Sequence, residues 1–128
     1  EALQNHLAFT YFAPKKLLAL PMTICESANA GSLWDARMTF SGLVAFDVTA
    51  EGGFRERGRV SHGTSTGRTN QYSYDANCGN WWTEASSVVK RSIVMDDYVY
   101  SISESQMKGN HLDALSTDLV ALSLHDAP

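Results

Sequence analysis

Between residues 88 and 124 apolar positions recur in four short runs broken by tight polar punctuation. In the first run Val89, Arg91, Ile93 and Met95 fall on one side of an extended chain, with Val88, Lys90 and Val94 on the other. Apolar groups on both faces suit a strand covered on both sides. Asp96-Asp97 interrupts the pattern, and adjacent carboxylates that favour local side-chain-to-backbone hydrogen bonds mark a turn. Tyr98, Val99, Tyr100 and Ile102 resume an aromatic and β-branched strand. Glu104-Ser105-Gln106 is a second turn, and residues 107–112 form a weaker third run. Ser116-Thr117-Asp118 punctuates again before residues 119–124, where Val120, Leu122 and Leu124 share a face. Four strands with short connections predict a four-stranded antiparallel meander.

The first half repeats the layout. Residues 6–12 alternate Leu7, Phe9 and Tyr11 against Ala8, Thr10 and Phe12, which predicts a strand. Ala13-Pro14-Lys15-Lys16 is a turn, with Pro14 supplying the fixed φ. Residues 17–25 are a second run. Pro21 within it lacks a ladder donor, so the strand must bend, bulge or present that position to no partner. Residues 26–36 read as a small-residue loop carrying Trp34. A third strand over 39–49 sets Val44, Phe46 and Val48 opposite Leu43, Ala45 and Asp47. Glu51-Gly52-Gly53 is a hairpin turn. The fourth strand, over 54–62, is expected to place Arg55, Arg57 and Arg59 on one face, a charged outer strand that resists pairing with another chain. No helix of normal length is predicted; residues 112–115 make at most one turn.

The expected architecture is therefore all-β, with two consecutive blade-like units. Residues 1–62 form the first, 63–87 a polar connecting loop and 88–128 the second. A four-stranded sheet with two apolar faces must stack on others like it, and radial stacking of such sheets is a β-propeller. Two blades do not close a ring, since closed propellers have about four to eight. The chain is expected to associate with the missing blades of a parent or with copies of itself as a homo-oligomer.

Composition narrows the function classes. The chain has 128 residues, so one domain is the prior, and its formal net charge is −4. Its ten Lys and Arg are scattered, which argues against nucleic acid as a partner. No apolar run reaches the length that spans a bilayer. The chain opens on Glu1, not Met, and is read as a processed or excised piece.

The two cysteines, Cys25 and Cys78, are too far apart for a CxxC motif. They form either one disulfide or two buried thiols. Cys78 sits among Asn77, Gly79 and Asn80, a poor core setting that favours the disulfide and an oxidising compartment. Closing a loop of this length by a disulfide is worth about 3–4 kcal/mol.

Gly63-Thr64-Ser65-Thr66-Gly67 matches the G-x-S-x-G nucleophile elbow, and a predicted strand precedes it. The next residues, Arg68-Thr69-Asn70-Gln71, carry no apolar helical stripe, so a Gly/Thr/Ser loop is the preferred reading. The alternative is a small esterase-like serine hydrolase using Ser65, with a histidine base and an orienting carboxylate. Its base would come from His62, His111 or His125, backed by Asp75, Asp113 or Asp126; His62 lies too near Ser65 to be a comfortable partner, and Ser65 with His111 is the pair named for this alternative. The histidines have no metal-site spacing, and Asp96-Asp97 lacks the regular acidic spacing of a calcium loop. No cofactor or metal is expected. Trp81 and Trp82 with Trp34, Tyr72 and Tyr74 concentrate aromatic rings in polar loops. Flat rings near Asn and Asp suit a protein interface or carbohydrate stacking, while the plainer reading is that they fill gaps between blades.

Three segments carry a family likeness: FTYFAPKKLLALPMTICE over 9–26, FSGLVAFDVTAEGGFRERGRVSHG over 40–63, and VVKRSIVMDDYVYSISESQMKGNHLDAL over 88–115. They resemble secreted bacterial and archaeal proteins with a C-terminal β-propeller domain, distantly related to WD-type repeats. The resemblance implies the last blades of a larger propeller, located outside the cytoplasm in secreted or cell-envelope form. It also implies a Cys25–Cys78 disulfide. It implies no catalytic residues, so a non-catalytic scaffold or interaction module is the expected function. The family's propeller is much longer than this chain.

Overall fold

A computed structural model describes residues 6–26, 37–63 and 89–124. Eight strands form two four-stranded antiparallel sheets with strictly sequential order. The first sheet contains β1 (Thr10–Phe12), β2 (Leu17–Glu26), β3 (Arg37–Thr49) and β4 (Gly53–Ser61). The second contains β5 (Val89–Met95), β6 (Tyr98–Ser103), β7 (Gln106–His111) and β8 (Asp118–Ser123). The expected all-β, two-blade architecture is thus observed, and no α-helix occurs among the described residues.

The turns follow from their residues. Asp96 takes a left-handed φ of 52° between Met95 and its partner Tyr98, a conformation that Asp tolerates better than most residues. The Thr49 hydroxyl accepts the Gly52 N–H, and Gly53 adopts a φ of 64° where β4 begins. Residues 112–117 form turns rather than a helix, with Ala114 N–H donating to His111 and Thr117 N–H to Ala114. Pro21 lies in register opposite Leu43, beyond the end of β1, whose pairing stops at Thr10↔Ala19. Its missing donor therefore faces no strand, as the sequence required.

The sheets stack through one face each. Leu17, Ala19, Leu43, Ala45 and Val60 of the first meet Val89, Val99, Leu112 and Leu115 of the second, and all nine are nearly or wholly excluded from water. Small aliphatic side chains at this junction let the sheets approach closely. Each fully buried Leu or Val contributes about 1.5–3 kcal/mol of transfer free energy. Gly42 is required by close approach of another kind: a Cβ there would lie 2.1 Å from the Val60 carbonyl oxygen.

Three expectations need correction. Residues 6–12 do not form one strand: residues 6–8 make a single 3-10 turn, and only Thr10–Phe12 pair with β2. Ala8 within that turn is fully buried, and the turn packs against β5, which takes precedence over the alternation. The three arginines of β4 do not share a face. A bulge opposite Ala45/Phe46 leaves Arg57 unpaired between Gly58 and Glu56. Arg55 then lies beside Asp47 on the junction side, while Arg59 crosses to the other side, over the Phe40 ring at 5.4 Å. Likewise Val89 does not share a side with Arg91, Ile93 and Met95, because an irregularity between Val89 and Arg91 turns Val89 into the core.

Candidate functional site

Around the aliphatic junction runs a rim of polar contacts that tie the sheets together. At the first strands, the Thr10 hydroxyl donates to the Ser92 carbonyl at 3.1 Å and accepts from the Ser92 hydroxyl at 2.9 Å. Just past β4, His62 Nε2 and the fully buried Ser101 hydroxyl of β6 lie 2.7 Å apart. Lys108 of β7 donates to the Ser61 carbonyl at 2.9 Å and to Asp118 at 2.6 Å. Asn110, also fully buried, instead braces the second sheet internally: it gives its amide N–H groups to the carbonyls of Leu115 and Thr117 and to Asp118.

His62 is the least comfortable group in this rim. Burial, with the positive charge of Lys108 adding to it and Asp118 opposing, pushes its imidazole down to about 4. Its Nδ1 is buried with no hydrogen-bond partner among the described residues. A Ser–His hydrogen bond is a feature of nucleophilic catalysis, but Ser101 has no exposed surface. No substrate can reach it, so the pair is a fastening between sheets.

At the outer end of the junction lies an open groove of about 390 Å³, lined by Asp47, Arg55, Glu56, Arg57, Leu112 and Asp113. The β4 bulge aims Arg57 into it. Arg57 donates to Asp47 at 2.8 Å, to the Leu112 carbonyl at 2.9 Å and to Asp113 at 2.9 Å, joining the sheets. Burial alone would lower the Arg57 pKa, but its hydrogen bonds to Asp47 and Asp113 outweigh that and hold it above the ordinary value. Burial likewise opposes ionisation of Asp47, and Arg57 and Arg55 outweigh it, so Asp47 stays charged below the ordinary range. Glu56 is bound by Arg59 at 2.7 Å. The groove therefore holds balanced, mutually engaged charges. It can exchange the exposed Arg55 for a ligand group, but it offers no nucleophile with a poised base.

The predicted site residues fare unevenly. Ser65, Trp34, Tyr72, Tyr74, Trp81, Trp82 and Cys78 lie outside the described residues, as do Asp75, His125 and Asp126. Cys25 is described, in β2, and is not a free thiol. His111 stands on the face of the second sheet turned away from the junction, edge-on to Tyr98 at 5.2 Å. Its Nδ1 accepts the Asp113 N–H, and the Asp113 carboxylate is 3.8 Å away. That carboxylate is also engaged by Arg57. Asp97 forms an ion pair with Lys15 at 2.6 Å, a further link between the sheets, and that contact holds it below its ordinary pKa. No group of three or more His, Cys, Asp or Glu suited to a metal ion occurs among the described residues.

Sequence reasoning missed His62–Ser101, Lys108 and Asn110. The weak signal for them was polar residues on the inward positions of apolar strands: Ser101 and Ser103 in β6, and Asn110 in β7.

With two sequentially wound sheets stacked by their faces, the comparison with known families becomes decisive. A model described as a beta propeller domain matches residues 1–115. The chain belongs to the β-propeller domain family. No curated protein and no solved structure matches it. The β-propeller match spans both sheets through the turn after β7, so the Arg57 groove and the His62 fastening lie within family sequence. No described helix of this β-propeller is long and apolar enough to cross a membrane.

Proposed function

We propose that this chain is a non-catalytic scaffold and interaction module of an exported β-propeller protein. Its remaining blades come from the parent protein or from further copies of the chain. The observation that carries the reading is the outer face of the second sheet. Ile93, Met95, Tyr98, Val120 and Leu122 share that face and are 41–59% exposed. Contiguous apolar surface of this kind marks an interface on soluble proteins, and in a propeller it is where the next blade packs.

The polar segment between the sheets, with Trp81, Trp82, Tyr72 and Tyr74, and Trp34 of the earlier loop, is proposed as the presenting surface, for a protein or a carbohydrate. A Cys25–Cys78 disulfide and location outside the cytoplasm belong to the same proposal. Cys25 not being a free thiol supports the disulfide. The Ser65 hydrolase reading gains nothing: Nδ1 of His111, the base proposed for it, accepts the Asp113 backbone N–H and does not donate to an orienting carboxylate, and the Asp113 carboxylate is engaged by Arg57.

The experiment is the native mass of the chain under non-reducing conditions, with binding of a hydrophobic dye measured on the same sample. Exposed blade faces predict association or dye binding that Ile93→Asp suppresses. A monomer that binds no dye, with Ile93→Asp indistinguishable from it, refutes the reading.

A further inference from the structure

At the end of β4 two links cross side by side between the sheets. One is His62 Nε2 with the Ser101 hydroxyl at 2.7 Å, and the other is Lys108 Nζ donating to the Ser61 carbonyl at 2.9 Å. The backbone on both sides of the His62 ring is pinned to β3. His62 N–H donates to the Ser41 carbonyl, and Ser41 N–H donates to the Gly63 carbonyl. The ring therefore reaches water by separation of the sheets, not by fraying of β4.

The charged groups that face the ring are Lys108 of β7 and Asp118 of β8, while Ser41 of β3 and Ser101 of β6 are uncharged. A neutral imidazole has one donor and one acceptor, and an imidazolium has two donors. Nδ1 is buried and has no partner among the described residues. Both oxygens of Asp118 are engaged, one by Lys108 and the other by Asn110. A proton added to the closed ring places a second donor and a positive charge beside the Lys108 ammonium, with no acceptor to receive it. A buried charge without a partner is costly, and water removes that cost.

We propose that this edge of the junction is a proton-sensitive latch: uptake of a proton by His62 parts the two sheets there, while each sheet keeps its own ladder. The opened form takes the proton near the ordinary imidazole value of about 6.5, and the closed form only at about 4. Closure is therefore fully favoured above about pH 6.5 and weakens as pH falls toward about 4. The rest of the rim stays tied through that window. Thr10 with Ser92, and Arg57 with the Leu112 carbonyl, do not titrate in it, and Asp97 keeps its charge opposite Lys15 into more acid conditions.

The test is thiol labelling of the full chain carrying Val99→Cys. Val99 is a wholly buried residue of the junction, two positions before Ser101. A pyridyl disulfide serves as the reagent because it reacts with thiols in mild acid. Its rate is referred to a free small thiol at the same pH, and the adduct at position 99 is identified by peptide mapping. The expected rate rises about tenfold from about pH 7 to about pH 5, with the circular dichroism unchanged. In the same chain with His62→Gln, which keeps a donor toward Ser101 but does not titrate, the rate is expected to change less than about twofold. The NMR signal of the wild-type His62 ring gives a readout that needs no variant, and it is expected to titrate near about 4. A ring that titrates near about 6.5 overturns the latch. So does a labelling rate that ignores pH, a rise that persists in folded His62→Gln, or a rise accompanied by loss of the circular dichroism.

Discussion

The outermost strand of the first sheet carries Arg55, Glu56, Arg57 and Arg59, broken by a bulge; its counterpart β8 carries Leu119, Val120, Ala121 and Leu122. The two sheets share connectivity, strand order and a common core, so the contrast is not one of fold. On the first sheet Leu18, Phe40 and Val44, all on the face turned from the junction, are at most 7% exposed. On the second the equivalent face shows Ile93, Met95 and Tyr98. The first sheet has a charged edge and a face covered at its middle, with Tyr11 and Phe54 exposed at its ends, while the second is left open on both edge and face. Connectivity sets which strands are neighbours, and side chains at rim and outer positions set whether a sheet terminates or continues. The charged β4 edge discourages further strands. The apolar β8 edge and face do not.

The largest expected effect lies where the sheets meet. Leu43→Ala empties a wholly buried position of the shared core and is expected to cost about 2–5 kcal/mol. Ile93→Ala, on the open face, should cost less than about 1 kcal/mol in the monomer. Denaturant unfolding of both variants measures the difference. Similar values would show that the outer face is covered after all.

The next effect is one of pH. His62 is depressed to about 4 in the folded chain, so the unfolded chain takes up its proton first, near the ordinary value of about 6.5. Stability tied to His62 is fully present above about pH 6.5. It declines as pH falls toward about 4 and changes no further below that. Asp47, Glu56, Asp97 and Asp118 have lowered pKa values, so their contributions are lost mainly below the His62 window, overlapping only its acid end. Allowing for partial exposure, the His62 loss is about 1–3 kcal/mol. Melting temperature against pH for the wild type and His62→Gln checks it: the wild type should lose stability between about pH 6.5 and 4, and the variant far less. Parallel curves would show that the fastening to Ser101 is not pH-sensitive.

A smaller effect separates the arginines of one strand. Arg57→Ala removes three contacts at a half-buried position, two of which join the sheets, and should cost about 1–2 kcal/mol. Arg59→Ala removes an exposed pair with Glu56 and a contact over the Phe40 ring, and should cost about 0.5–1 kcal/mol. Unfolding of the two variants side by side tests whether the bulge, and not the sequence alternation, decides which arginine matters.

That last point shows where the sequence was readable. The meanders were legible because every connection within a sheet is short and each strand has its own punctuation, as at Asp96-Asp97 and Glu51-Gly52-Gly53. Pro21 marked the end of β1 pairing for a reason visible in its chemistry. The bulges were not legible, because one extra residue at Arg57 or near Val89 reverses the facing of its neighbours without altering the composition of the strand. The contacts of the rim were not legible either. His62 with Ser101, and Arg57 with Leu112 and Asp113, join residues 39 to 56 positions apart. They exist only once it is known which faces of the two sheets stack. The aromatic and serine candidates fall in the segments outside the described residues, so their roles rest on the sequence.

The most direct test of the account is a cross-link between the sheets at their first strands. Thr10 and Ser92 place their hydroxyl oxygens 2.9 Å apart across the junction. Thr10→Cys combined with Ser92→Cys should therefore form a disulfide readily and in high yield, identified by peptide mapping beside Cys25 and Cys78, and should raise the melting temperature. If the two blades pack as described, neither single variant cross-links within the chain at those positions. Failure of the folded double variant to form this disulfide under oxidising conditions would contradict the stacking of the sheets on which every other conclusion depends.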